Sequence, residues 1–144
     1  MRLDLHKRTD LALRALHIIC DANTRVPGPE LADLLGTTRQ YLPQVLNPLV
    51  KKRWVSSTPG PHGGYEPLCS LAEVSVLELI ETMEGPTLDN RCVLTGRTCP
   101  QVEPCALHLA WYHARTALMN ELDHLSLADV RVELVTSADA ATFE

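Results

Sequence analysis

Apolar residues at Leu13, Leu16, Ile19 and Cys20 recur at the three-to-four-residue spacing of one helix face. This predicts an amphipathic helix from Asp10 to about Cys20, capped by Thr9 and carrying Asp10 in its positive first turn. Asp21 to Pro29 (DANTRVPGP) has the composition of a loop. A short helix over Glu30–Leu35 then ends at Gly36, and Thr37 or Thr38 caps a second helix that runs to about Arg53. Pro43 lies near its start and Pro48 inside it. An interior proline removes a backbone hydrogen bond, so this helix is expected to bend or to restart near Asn47.

Trp54–Ser57 and Tyr65–Leu68 read as two short strands around the glycine-rich turn Pro59–Gly64, which makes a hairpin. Ser75 and Glu78 form a capping box at the head of VLELIETMEG, stopped by Gly85 and Pro86. Pro104 suits the first position of a last helix reaching about His124. Its apolar positions Leu107, Trp111, Ala114, Leu118, Leu122 and Leu125 form one stripe, and no later helix follows to cover it. A partner subunit is the expected cover.

A short helix, a glycine turn and a capped second helix make a helix-turn-helix, and a hairpin directly after it makes a wing. The fold class expected is therefore mainly α. Residues 1–68 form a winged helix-turn-helix DNA-binding domain, residues 69–130 a cysteine-rich cluster-binding loop with a long C-terminal dimerisation helix, and residues 131–144 a disordered tail. In a helix-turn-helix the first residues of the second helix enter the major groove. Here these are Thr38, Arg39, Gln40, Tyr41 and Gln44, and Arg and Gln suit bidentate contacts with guanine and adenine edges. Lys51, Lys52 and Arg53 at the far end form a phosphate-contacting cluster. A generic helical hairpin with solvent-facing polar residues is the plain alternative, and the wing weighs against it.

The stretch Asp89–His108 (DNRCVLTGRTCPQVEPCALH) holds three of the five cysteines, Cys92, Cys99 and Cys105, spaced C-x6-C-x5-C. Gly96, Pro100 and Pro104 interrupt it, so it is a loop without a buried face. Three thiolates and one further donor are what an iron–sulfur cluster or a closed zinc site needs. Ordinary core cysteines, or a disulfide with a spare thiol, are the competing reading, which a polar loop suits poorly. Cys20, on the apolar face of the first helix, and Cys69, after the second strand, read as core residues.

Composition changes the picture in two places. The opening residues lack the apolar core of a signal peptide, and no apolar run would span a bilayer. The expected location is cytoplasmic, with no membrane partner, where clustered cysteines more often bind metal than pair. The net charge of −5 is also uneven: residues 1–67 carry nine Lys/Arg and six Asp/Glu, while residues 68–144 carry four and twelve. Only the first half is suited to meet a polyanion. No nucleophile elbow, phosphate loop or framed carboxylate pair is present in the sequence, so an enzyme is not expected.

Taken in register, several pieces resemble the Rrf2 family of bacterial transcription regulators. They are the opening MRL, TDLALRAL at 9–16, LADLLG at 31–36, YL at 41–42, GPHGGY at 60–65, the three cysteines and SLADV at 126–130. The resemblance implies a homodimer on a near-palindromic stretch of double-stranded DNA, and an iron–sulfur cluster on Cys92, Cys99 and Cys105 near the dimer interface. TDLALRAL resembles the NsrR branch, which implies a fourth ligand at Asp10 from the other subunit and release of DNA on nitric oxide attack. Cys105 to His108 followed by Leu109, Ala110 and Trp111 resembles the IscR branch, which implies His108 as fourth ligand and a sensor of cluster supply. The reading favoured is Asp10 with a 4Fe–4S cluster labile to nitric oxide or redox stress, in a repressor. The alternatives are His108, a 2Fe–2S cluster, or zinc or thiol oxidation on the same fold. A small electron carrier is the reading from another class, and it would need no winged helix. One departure stands out. Pro59 occupies the position before the wing's first glycine, where the family usually has a basic residue; His62 is the substitute, beside Gly63.

Overall fold

The computed structural model describes residues 4–87, 92–98 and 105–132. Five helices run α1 (Lys7–Ala22), α2 (Gly28–Leu34), α3 (Leu42–Lys51), α4 (Val76–Glu84) and α5 (Ala106–His124). Between α3 and α4 lies the antiparallel hairpin of β1 (Val55–Thr58) and β2 (Gly64–Pro67), in register Val55 to Pro67 through Thr58 to Gly64. Single 3-10 turns at Leu71–Glu73 and Leu127–Asp129 flank α4 and follow α5. No helix among the described residues is long and apolar enough to cross a membrane.

The core is continuous across the chain. Leu16 and Ile19 of α1, Leu31 of α2, Val45, Leu46 and Leu49 of α3 and Val55 of β1 are fully buried, as is Leu127 near the end. Leu79 and Met83 of α4 complete it. α1 packs on both α3 and α4, and α3 also touches α4 directly, so the helix-turn-helix and the later helices share one core.

Several elements depart from the sequence expectation. α1 begins at Lys7 with His6 as its N-cap, three residues before the expected start. Thr9 does not cap; it is fully buried inside the helix, and its hydroxyl donates to Glu84 at the end of α4. α3 does not restart near Asn47 and runs unbroken through Pro48. The bond forfeited there would have gone to the carbonyl of Gln44, an exposed residue, where water can satisfy it. Cys105, not Pro104, sits at the boundary of α5: it is the extended N-cap, and Ala106 is the first helical residue. Pro104 and the expected tail beyond Val132 lie outside the described residues.

Other local signals are realised as expected. Both halves of the Ser75–Glu78 capping box form, with the Ser75 hydroxyl accepting from the Glu78 N–H at 3.1 Å and the Glu78 carboxylate accepting from the Ser75 N–H at 3.0 Å. Two more such boxes, not among those expected, pair Ser70 with Glu73 and, in the SLADV segment at 126–130, Ser126 with Asp129. The latter segment runs beside the entry to α4, where the Val76 N–H donates to the Leu125 carbonyl at 2.8 Å and the Leu127 N–H to that of Val74 at 2.9 Å.

Candidate nucleic-acid interface and cysteine loop

Thr38 starts the turn that leads into α3. Its hydroxyl accepts from the Tyr41 N–H at 3.2 Å, and its carbonyl accepts from the Leu42 N–H at 3.0 Å. Neither Thr37 nor Thr38 is therefore the cap expected: the N-cap of α3 is Tyr41, without a side-chain cap bond, and Thr38 closes the turn ahead of the helix, which begins at Leu42. Leu42, Val45, Leu46 and Leu49 turn inward, while Thr38, Arg39, Gln40 and Gln44 are exposed. Tyr41 differs from its neighbours: it is half-buried and packs against the core.

The exit of α3 is a tight left-handed stop. Arg53 has φ +61°, and the Trp54 N–H reaches back to the Leu49 carbonyl at 3.1 Å. This is the hydrogen-bond pattern that glycine usually supports. Lys51 and Lys52 are exposed there and line an open groove of about 470 Å³ with Pro48, Glu81 and Thr82.

The wing is held by three strand-like segments, not two. Val26, in the α1–α2 loop, exchanges both backbone hydrogen bonds with Tyr65 at 2.9 Å. Gly63 lies where a side chain is impossible, since a Cβ there would stand 2.0 Å from the Thr58 carbonyl oxygen. Its role in the turn is steric. His62 is exposed at the tip. Sequence reading missed Arg25, which the Val26 pairing brings onto the wing: its guanidinium meets Glu66 Oε2 at 2.9 Å and the His62 carbonyl at 3.4 Å. A signal existed, because the chain has no Lys or Arg between Arg53 and Arg91.

The cysteines separate into two groups. The Cys20 thiol points at the Cys69 carbonyl at 3.9 Å, and the Cys69 thiol at the Trp54 carbonyl at 3.7 Å. Burial, then the neighbouring Cys69 and Asp21, push the Cys20 thiol up to about 11. Burial and then Glu73 also raise Cys69. Two such thiols are protonated and unreactive at neutral pH. Cys92 instead opens a tight turn, its N–H bonded to the Arg97 carbonyl at 2.7 Å and its carbonyl to the Gly96 N–H at 2.8 Å. Cys105 is exposed at the head of α5, and His108 is half-buried within the first turn that follows. Cys99 lies outside the described residues. Among those residues no three His, Cys, Asp or Glu side chains gather as a metal site. Asp10 is engaged within its own helix, its two carboxylate oxygens taking the Arg14 Nε at 3.0 and 3.1 Å.

α5 packs on α4, with Leu122 against the core, but buries little of its own surface. Met119 is its only buried residue among those described, and Leu109, Trp111, Tyr112 and Leu118 are exposed.

A helix-turn-helix with a polar outer edge, followed by a braced hairpin, defines a winged-helix transcription regulator. The chain belongs to the Rrf2 family, described as iron-dependent transcriptional regulators, whose profile matches residues 5–133. It is 31% identical over 121 residues to ORF2 of Azotobacter vinelandii, assigned as an HTH-type transcriptional regulator, covering 84% of this chain and 70% of that one. Protein rrf2 of Nitratidesulfovibrio vulgaris is 26% identical over 101 residues, 70% of this chain and 67% of that one. Among solved structures the fold is similar to that of CymR, the global cysteine regulator of B. subtilis, with a TM-score of 0.70 at 21% identity, covering 89% of this chain and 95% of that one. T. potens IscR has a TM-score of 0.68 at 19% identity, covering 99% and 93%.

Proposed function

We propose that this protein is an iron–sulfur-dependent transcription repressor that binds a near-palindromic operator as a homodimer and releases it when the cluster meets nitric oxide or redox stress. The observation that supports the DNA reading is the two-sided character of α3 and its leading turn. One side is locked into the core by Leu42, Val45, Leu46 and Leu49, and the other offers Thr38, Arg39, Gln40 and Gln44 to solvent. The packed backbone of α3 and its leading turn is already ordered, so on meeting base edges mainly the side chains lose freedom.

The donor chemistry of the loop suits a cluster. Cys92 opens a tight turn and exposed Cys105 sits at a helix start, in contrast to the packed Cys20 and Cys69. Cys92, Cys99 and Cys105 would hold it, with Asp10 of the partner subunit as fourth ligand and 4Fe–4S as the favoured form. Bound there, the group would supply a centre whose integrity depends on oxidants and nitric oxide. Arg14 orients the Asp10 carboxylate, and α1, which carries both, packs against α3. A pull on Asp10 would act on α1 and, through its packing, on α3, which is the route by which cluster state would bias DNA binding.

The Asp10–Arg14 pair also favours a second reading, in which Asp10 stays with Arg14 and His108, one turn from Cys105, is the fourth ligand. Iron and sulfide analysis with an absorption spectrum of oxygen-free protein tests the cluster. Asp10→Ala and His108→Ala then separate the two ligands by which one loses the spectrum. Colourless, iron-free protein that binds duplex DNA would replace the cluster with zinc or thiol chemistry. For the DNA reading, Arg39→Ala is expected to cost about 1–3 kcal/mol and to relax base preference at one position.

A further inference from the structure

The wing's own composition is wrong for its task. From Trp54 to Pro67 its only charged residue, His62 aside, is Glu66, so the hairpin that should approach a polyanion is net negative. The position before its first glycine, Pro59, has no charge to offer. Yet a permanent cation is docked on it. Arg25 comes from the α1–α2 loop, 41 residues before Glu66, and is carried there by the paired backbone of Val26 and Tyr65.

Resting on the DNA-binding reading above, we infer that Arg25 is the wing's phosphate- and groove-contacting cation, supplied from outside the hairpin by the α1–α2 loop and held ready by Glu66. Three observations carry this. Arg25 Nη2 meets Glu66 Oε2 at 2.9 Å and Nη1 points to the His62 carbonyl at the tip at 3.4 Å, so the guanidinium is bonded to both the second strand and the tip of the wing. The Arg25 side chain keeps 41% of its surface open, which leaves donors of its five N–H groups directed at solvent. Gly64 makes room for it: a Cβ there would stand 3.0 Å from Arg25 Cγ as well as 2.4 Å from the Val26 carbonyl oxygen. The Glu66 partner sets the aim of a long side chain before DNA arrives. An exposed pair of this kind is weak enough for a phosphate to share the guanidinium.

The test is binding to a pool of random-sequence DNA duplexes at several salt concentrations. Arg25→Ala is expected to weaken binding several-fold at low salt and to reduce the log–log salt slope by about 0.9, the loss of one phosphate contact. Arg25→Lys should keep the slope. Glu66→Gln removes the wing's negative charge and should bind at least as tightly as wild type. If Arg25 were only a strut for the wing, Arg25→Ala and Glu66→Gln would weaken binding alike with the slope unchanged, and the inference would fall. Arg25→Gln keeps a donor for the His62 carbonyl without charge, so it must show the same slope change even if the alanine variant folds poorly. Wild-type protein that binds no duplex at low salt defeats the DNA-binding reading and this assignment together. Wild-type binding matched by Arg25→Ala in affinity and slope defeats this assignment alone.

Discussion

The hydroxyl of Thr9, fully buried in α1, donates to the carboxylate of Glu84, 75 residues later at the end of α4. The same carboxylate accepts from the His6 N–H at 3.0 Å, and the Arg8 guanidinium donates to the neighbouring Met83 carbonyl. The first turn of α1 is thereby tied to the last turn of α4 by three polar contacts around one buried hydroxyl. Thr9→Val keeps the shape and removes the donor. Because the acceptor is charged, the variant is expected to lose about 1.5–3 kcal/mol in urea denaturation with an unchanged slope. A midpoint equal to wild type would reduce the contact to decoration.

Arg53 sits at φ +61° at the exit of α3, where a side chain is strained and glycine is not. Arg53→Gly should therefore raise stability, by up to about 1 kcal/mol once the extra freedom of the unfolded chain is counted. It should also weaken duplex binding and lower its salt dependence, because a cation beside Lys51 and Lys52 is gone. Gains in both properties would show that Arg53 does not approach DNA.

The two cysteine groups should differ in reactivity. In cofactor-free protein at mildly alkaline pH, iodoacetamide should label exposed Cys105 before Cys20 or Cys69, with mass spectrometry following each site. For Cys20 the folded-state value, about 11, lies above the ordinary 9.0. The neutral half-buried thiol's contribution to stability is thus complete below pH 9.0 and is lost as pH rises through about 11. The urea midpoint of wild type should fall in that window, and Cys20→Ala should fall less.

Trp111 and Tyr112 stand on the open side of α5, 36% and 50% exposed, on a helix that buries only Met119 among its described residues. A second copy of the chain is the cover expected for the apolar stripe of α5 that includes Trp111. Trp111→Glu puts a charge into that contact, which an unpaired buried carboxylate does not tolerate. The expected outcome is a monomer by sedimentation at concentrations where wild type is dimeric, with the helical circular dichroism of the remaining fold retained. An unaltered dimer would move the interface off this face.

The sequence by itself determined what a single turn of chain can encode. The capping boxes of Ser75 with Glu78 and Ser126 with Asp129, the inward run of α3 and the hairpin turn at Gly63 all depend on neighbours a few residues apart. The separation of Cys20 and Cys69 from the loop cysteines was legible too, because apolar spacing and Pro/Gly-rich composition are local properties. The tertiary structure alone decided which of two plausible uses a residue took. Thr9 has the chemistry of a cap, but the arrival of Glu84 makes it a buried donor and moves the helix start to Lys7. Pro48 has the chemistry of a breaker, but packing of Leu46 and Leu49 holds α3 through it, and the carbonyl it leaves unpaired belongs to exposed Gln44. Arg25 looks like a loop cation until Val26 pairs with Tyr65 and carries it onto the wing. In each case the deciding partner lies far along the chain or in the packed core. Its effect is a burial or pairing energy that local spacing does not contain.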